Sequence, residues 1–376
     1  MARKLQLLKR HALFFWAVSP FINRLPRKLW QWFYRPLPRS AREESLFESC
    51  QSHYRAAPWP DTFFLDPALG KHIQDISFLT PFRPSVPEII EVNNAVVLAN
   101  GLVVTNNSIN FASSCYVRLS RHILFRTSAF WYTKRTRINF DAATLISRQL
   151  VDQGTYGDYF IEFILPLCRA CEAVKPPLLA DAGFIKKYCH ADLKALGLPP
   201  CLSIPIEGIQ VKKLTVIASS QPFDNFDPAN LAAVARAFRL PETHTARADK
   251  VYLSRRGFFE ATSSKQKRSL ENEAEIEHFL TSRGFVVLRP DGTNNLQTRI
   301  QLAGAEIVIF NHGSGFLNAV WGNPRSVVEL ASEQWWNPAF LRLSRAMNVS
   351  AYHLLCSQNG RIDIEKLSAV LKTLGC

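Results

Sequence analysis

A loop reading His312-Gly313-Ser314-Gly315 separates two apolar runs, residues 307–310 before it and 316–321 after it. Glycine on both sides of Ser314 lets backbone N–H groups come close to a ligand, and the first turn of a following helix carries unpaired N–H groups that favour an anion. The chemistry suited to such a loop is phosphate recognition. Basic residues accompany it: Arg255 and Arg256 follow the run VYLS, and Lys265, Lys267 and Arg268 come a few residues later. A guanidinium fork meets two phosphate oxygens at once, so the cluster suits a diphosphate. Glu329 ends the run SVVE, where a carboxylate can accept two hydrogen bonds from a ribose diol. His312 has two roles open to it: bonding a phosphate or sugar, or holding its own loop. The ligand class that asks for diphosphate donors, a close glycine loop and a diol acceptor together is a sugar nucleotide.

Such residues meet only if the fold brings their loops to one edge. From residue 251 onward short β-branched runs alternate with helical patterns: VYLS, the helix 272–284, FVVL, a helix around LQTRIQLAGA, EIVIF, the glycine loop and a helix, SVVEL, AFLRLSRAMN, AYHLL and IEKLSAVLKTL. In the helix 272–284, Ile276, Phe279 and Leu280 share a face, and Gly284 stops it. Alternation of this kind predicts a parallel sheet with helices on both faces, whose strand carboxyl ends line a single edge. Upstream, residues 95–127 read as a β-rich section, Asp158–Val174 as a helix, PPLLA and LTVIASS as strands, and residues 224–238 as a helix capped by Asp227 with Pro228 at its first position. The polar stretch 240–250 marks the boundary. The organisation expected is therefore a basic aromatic arm over 1–42, an N-terminal acceptor domain over 43–240 and a Rossmann-like C-terminal domain over 241–376 that binds the nucleotide sugar.

At 376 residues, 47% hydrophobic and 20% charged, the chain is globular and long enough for two or three domains. Of the net charge of +14, ten Lys or Arg fall in residues 1–42, which hold no Asp or Glu. A charge so concentrated argues against a nucleic-acid surface. Within the arm, ALFFWAVSPFI is too short to span a bilayer, and its aromatic and basic neighbours suit an anionic membrane surface. The eight cysteines lie at irregular spacings, and Cys168 and Cys171 sit inside an apolar helical run, so neither a disulfide framework nor a zinc set with Cys189 and His190 is expected. No Gly-x-Ser-x-Gly occurs, which removes a serine-hydrolase elbow, and HGSGFLN lacks the third glycine of a dinucleotide fingerprint.

Four segments in order, YLSRR, KRSLENEAEIEHFL, AEIVIFNHGSGFLN and SVVEL, resemble the C-terminal domain of glycosyltransferase family 61, of the bacterial capsular or lipopolysaccharide type. The resemblance covers about residues 250–356. It implies a GT-B fold, two Rossmann-like α/β domains facing a cleft, the N-terminal one with the β-rich section. It also implies an inverting transfer from a nucleotide-sugar donor to a saccharide or lipid-linked saccharide acceptor. Carried over residue by residue, the implied donor site is Arg255, Arg268, Asn272, Glu273, His312, Gly313, Gly315, Asn318 and Glu329, with Arg256 and Ser314 beside it. Ser314 replaces the usual Ala, and Asn311 stands where Pro is frequent.

A weaker echo lies at Thr155 to Glu162, where relatives open a helix with Asn-x-x-His-x-x-x-Asp or Glu; here Thr155 replaces the Asn and Asp158 the His. Inverting transfer needs a base for the acceptor hydroxyl, and Asp158 and Glu162, four apart on one helical face, are its candidates. His312 completes the catalytic set. No metal or cofactor is expected, because Arg255, Arg268 and the helix start near Gly315 stabilise the departing diphosphate. The enzyme is then peripheral to the cytoplasmic face of an inner membrane. A scaffold or sugar-nucleotide-binding protein that keeps the shell without the chemistry is the alternative.

Overall fold

The computed structural model describes residues 34–36, 61–67, 88–97, 103–105, 108–111, 138–147, 156–180, 189–205, 208–218, 226–238, 248–256, 268–290 and 295–376. Most of the basic arm, Lys265, Lys267, the run HILF and most of the polar stretch 240–250 lie outside the described residues. The chain forms two compact units, one built from 1–48, 86–154 and 161–220, the other from 49–85, 155–160 and 221–376.

The first unit holds a mixed sheet. Its strands are β1 (Tyr34–Pro36), β3 (Glu88–Val97), β4 (Val103–Thr105), β5 (Ser108–Phe111), β6 (Ile138–Ser147), β7 (Leu178–Ala180), β8 (Cys201–Ser203) and β9 (Ile209–Ala218). They lie in the order β1-β5-β4-β3-β9-β6-β7-β8. The β-rich section supplies β3, β4 and β5, which pair antiparallel, whereas β9, β6, β7 and β8 run parallel. Its core is aliphatic, with Ile90, Val97, Leu145, Val211 and Val216 buried together.

The second unit is an α/β layer around a parallel sheet. Here β2 (Thr62–Leu65), β10 (Lys250–Leu253), β11 (Val286–Leu288), β12 (Ile307–Asn311), β13 (Ser326–Ala331) and β14 (Ala351–Cys356) run in the order β11-β10-β12-β13-β14-β2. Every pairing in it is parallel. The strand runs from VYLS to AYHLL all form. Helix Glu273–Thr281 buries Ile276 and Leu280 against Tyr252, Ile309 and Val328, and Gly284 ends its last turn at φ 79°. Helix Pro228–Ala237 begins as its cap requires, with the Asp227 carboxylate accepting from the Ala229 N–H at 2.8 Å.

Two assignments are corrected. Residues 62–65, which fall within the expected N-terminal domain, form the sixth strand of the second unit's sheet. Strand β2 hydrogen-bonds along the far edge of β14, from Ala351 opposite Thr62 to Leu354 opposite Leu65. The reason is that an all-parallel sheet leaves an unpaired edge, and an apolar TFFL segment satisfies it. The units also divide between residues 220 and 221, so the helix Pro228–Ala237 belongs with the second.

Strand order places the site. After β10 the chain adds β11 on one side, then returns to add β12, β13 and β14 on the other, so the loops leaving β10 and β12 diverge. In an open α/β sheet that divergence opens a crevice at the carboxyl ends of the strands. The register sets Leu253 beside Phe310 and Phe310 beside Glu329, which brings Arg255 and His312 to one level, with Glu329 two residues below them on the neighbouring strand.

Candidate functional site

The loop after β10 is held by Glu273, in the first turn of helix Glu273–Thr281. Its Oε1 accepts from the Arg255 N–H at 2.6 Å, Ser254 Oγ at 3.0 Å, the Tyr252 hydroxyl at 3.3 Å and Asn311 Nδ2 at 3.3 Å. One buried carboxylate thus ties the end of β10 to the end of β12. Asn311 supplies a bond that a proline could not. Burial and the neighbouring Glu273 raise the Tyr252 phenol well above its usual range, so it remains a donor. Asn272, next to Glu273, clamps the backbone of Ile362, accepting from its N–H at 3.0 Å and donating to its carbonyl at 2.9 Å. Asn272 and Glu273, both expected in the donor site, thus hold the Ile362 backbone and the loop after β10.

From this anchored loop Arg255 crosses to the glycine loop, where Nη1 donates to the His312 carbonyl at 2.7 Å. The crossing explains Gly313, because a Cβ there would stand 3.0 Å from Arg255 Cδ and Nη1. Gly315 is less constrained, since the nearest atom to its Cβ would be Pro290 Cγ at 3.6 Å. Gly313 leads into the expected helix, which is a 3₁₀ helix, Ser314–Trp321, that includes Ser314 and Gly315. Asn318 lies buried inside it and serves the packing: its Oδ1 accepts from the Tyr156 hydroxyl at 2.6 Å and from Arg299 Nε at 3.2 Å. Arg299 stacks on Trp321 at 4.3 Å.

His312 is enclosed, 1% exposed, with Nδ1 bonded to the wholly buried carboxylate of Glu329. Glu329 also accepts from Trp336 Nε1 at 3.0 Å and from the Tyr352 hydroxyl. Burial and the Glu329 charge raise the Tyr352 phenol, so it too stays a donor. Glu329 was expected to face a ribose diol; instead its oxygens are taken by three side chains of the sheet and the loop after β13. The His312 ring packs edge-on against Trp335 and Phe340, each at 4.8 Å. Its Nε2 has no hydrogen-bond partner among the described residues. The Nδ1 bond to Glu329 ties the glycine loop to β13.

Burial dominates the His312 imidazole and lowers its pKa; Glu329 opposes this, and Arg268 and Arg255 reinforce it. The folded state therefore resists a proton that the unfolded chain accepts near its ordinary pKa of 6.5. The unfolded state binds more protons just below that pH, so stability falls as pH drops through it. Thermal unfolding between pH 7.5 and 5 is expected to show a declining midpoint below about pH 6.5, with a shallower slope in His312→Gln. Glu277, held low chiefly by its hydrogen bond from Arg289, adds its own loss only below its ordinary 4.5. A midpoint flat from pH 7 to 5 overturns this assignment.

Arg268 completes the group. Its guanidinium lies over the Trp335 ring at 3.3 Å, and burial followed by repulsion from Arg255 brings its pKa down to about 10. No carboxylate among the described residues pairs with it. Arg256 is differently placed: with Arg289 it flanks Glu277, at 3.5 and 2.5 Å. Arg255, Arg268, His312, Gly313 and Glu329 thus meet at the strand edge. Trp335, Trp336 and Tyr352 join them unforeseen; the signal available was a tryptophan doublet a few residues past a strand end.

The segment around residue 160 is built from three short helical pieces. The chain there is an α-helical turn, Tyr156–Tyr159, then a π-helix, Phe160–Ile164, then α-helix Leu165–Arg169. Pro166 has no N–H to give the Glu162 carbonyl, and widening the turn relieves the clash of its ring. Glu162 is buried, and the side chain of Asp158 lies outside the described residues.

No curated protein matches the chain. Residues 156–328, a stretch that includes both arginines, the glycine loop and Asn318, match the family model described as Glycosyltransferase 61.

Proposed function

We propose that the protein is an inverting, metal-independent glycosyltransferase of GT-B architecture that binds the diphosphate of a nucleotide sugar at the carboxyl edge of its second sheet. The observation that carries the reading is Arg268. A guanidinium half removed from water, beside a second guanidinium and without a carboxylate among the described residues, is a site waiting for an anion. Arg255 and the N–H groups of the glycine loop would share that charge with it. As the bond to the anomeric carbon breaks, negative charge grows on the diphosphate, and fixed cations stabilise that state more than the ground state. The base is assigned to Asp158 or Glu162 on the resemblance alone.

The test is calorimetric titration of UDP, GDP and CMP into the parent protein and into Arg268→Ala. One of the nucleotides is expected to bind, and Arg268→Ala to bind it about 10- to 100-fold more weakly, the range for losing a charge-assisted bond. Equal affinity in the two proteins removes the site.

We further propose a saccharide or lipid-linked acceptor in surface polysaccharide or lipopolysaccharide assembly, met at the cytoplasmic face of an inner membrane. What supports it is the family and the ten cations of residues 1–42. Among the described residues no helix is long and apolar enough to cross a membrane. Co-sedimentation with vesicles containing anionic lipid should exceed that with neutral vesicles and fall when residues 1–42 are deleted; equal sedimentation sinks the attachment.

A further inference from the structure

We infer that Trp335 is the positioning residue for Arg268, an aromatic platform that aims the guanidinium at the donor diphosphate while leaving all its N–H groups to the ligand. The inference rests on the donor-site reading above and adds a residue that lies beyond the stretch matched to the family.

An arginine side chain has many rotamers, and ordering it on binding costs affinity. Proteins commonly fix such a chain with a carboxylate, as Glu277 does here for Arg289, accepting from Nε at 3.0 Å and from a terminal nitrogen at 2.5 Å. That solution uses the donors and cancels the charge. A ring face holds the cation through its quadrupole and touches only the flat of the guanidinium, so the five edge donors stay directed outward. Arg268 has this second arrangement, with its central carbon 3.3 Å from the Trp335 ring centre.

A platform must itself be rigid. The turn bearing Trp335 closes on itself, with the Trp335 N–H donating to the Ser332 carbonyl at 3.2 Å and the Gln334 N–H to Ser332 Oγ at 3.2 Å. The Ser357 hydroxyl holds it from the next strand end, accepting from the Glu333 N–H at 3.0 Å. The neighbouring Trp336 reaches down to Glu329, and the edge contact of Trp335 with His312 backs the ring on the same buried pair. Strand β13, through Glu329, thereby sets where Arg268 stands.

The experiment is a double-mutant cycle on the full chain, read by calorimetric titration of whichever of UDP, GDP or CMP the parent binds. Trp335→Leu is expected to weaken binding about 3- to 30-fold in the parent background and less than about twofold in the Arg268→Ala background. Trp335→Phe, which keeps a ring, loses no more than about threefold and nothing further without Arg268; it carries the cycle should the leucine variant fail to fold. A general packing role would weaken binding equally in both backgrounds. Losses that multiply in the double variant, or parent-like affinity in both Trp335 variants while Arg268→Ala binds weakly, overturn the inference and leave the donor site standing. Parent-like affinity in Arg268→Ala alone overturns both.

Discussion

Glu329→Ala is expected to lower the unfolding free energy by about 3–5 kcal/mol, the range found when one partner of a buried charged network is removed. The deletion takes one acceptor from three buried donors at once: His312 Nδ1, Trp336 Nε1 and the Tyr352 hydroxyl. Each lost its water on folding and regains none from the methyl group left behind, so each retains a desolvation cost of about 1–3 kcal/mol, partly relieved by relaxation. Glu329→Gln separates hydrogen bonding from bulk. Its carbonyl still accepts from His312 and Trp336, and the Tyr352 hydroxyl can turn to accept from the amide, so about half the loss is expected. Urea unfolding of both variants measures this. A Glu329→Ala protein within about 1 kcal/mol of the parent would mean that these contacts do not anchor the loop, and His312 would return as a candidate ligand contact.

Gly322→Ala should be nearly as damaging, for a steric reason. Gly322 closes the 3₁₀ helix Ser314–Trp321 against the end of helix Asn295–Leu302, and a Cβ there would stand 2.0 Å from the Leu302 carbonyl oxygen and 2.8 Å from its carbon. Both are backbone atoms, which cannot swing aside as a side-chain tip can. One helix must move, and in moving it separates Arg299 from Asn318 and Trp321. A cost of about 3 kcal/mol is expected, at the upper end of what overpacking produces. Gly315→Ala is the internal comparison, because its new methyl would meet only Pro290 at ordinary contact distance. Equal melting temperatures for the two alanine variants would show that the 3₁₀ helix does not pack as described.

Much of this architecture is legible in the chain itself. The β-branched runs VYLS, EIVIF and SVVEL specify buried strands because only a two-sided apolar environment satisfies them, and Asp227, Pro228 and Gly284 mark helix ends through backbone chemistry at their own positions. Regular alternation then requires a parallel sheet, and a parallel sheet collects strand ends along one edge. The meeting of Arg255, Arg268 and His312 follows from that order. These features are local, or are consequences of local ones, so a linear reading reaches them.

What the linear reading could not reach is which partner each polar group takes across space. Glu329 and Asn272 have the chemistry of ligand contacts, yet the sheet register turns Glu329 toward Tyr352 and Trp336, and Asn272 meets the Ile362 backbone ninety residues away. The register of β14 likewise recruits residues 62–65 as its edge strand. The order of apolar and polar residues along this chain determined its strands, its helix ends and the edge where its cations gather. Only the tertiary structure decided which of those polar groups are spent inside the protein and which, like Arg268 on Trp335, meet no carboxylate among the described residues. The physical reason is that burial satisfies a donor or acceptor with whatever the packing brings within about 3 Å, and packing is a property of the whole fold.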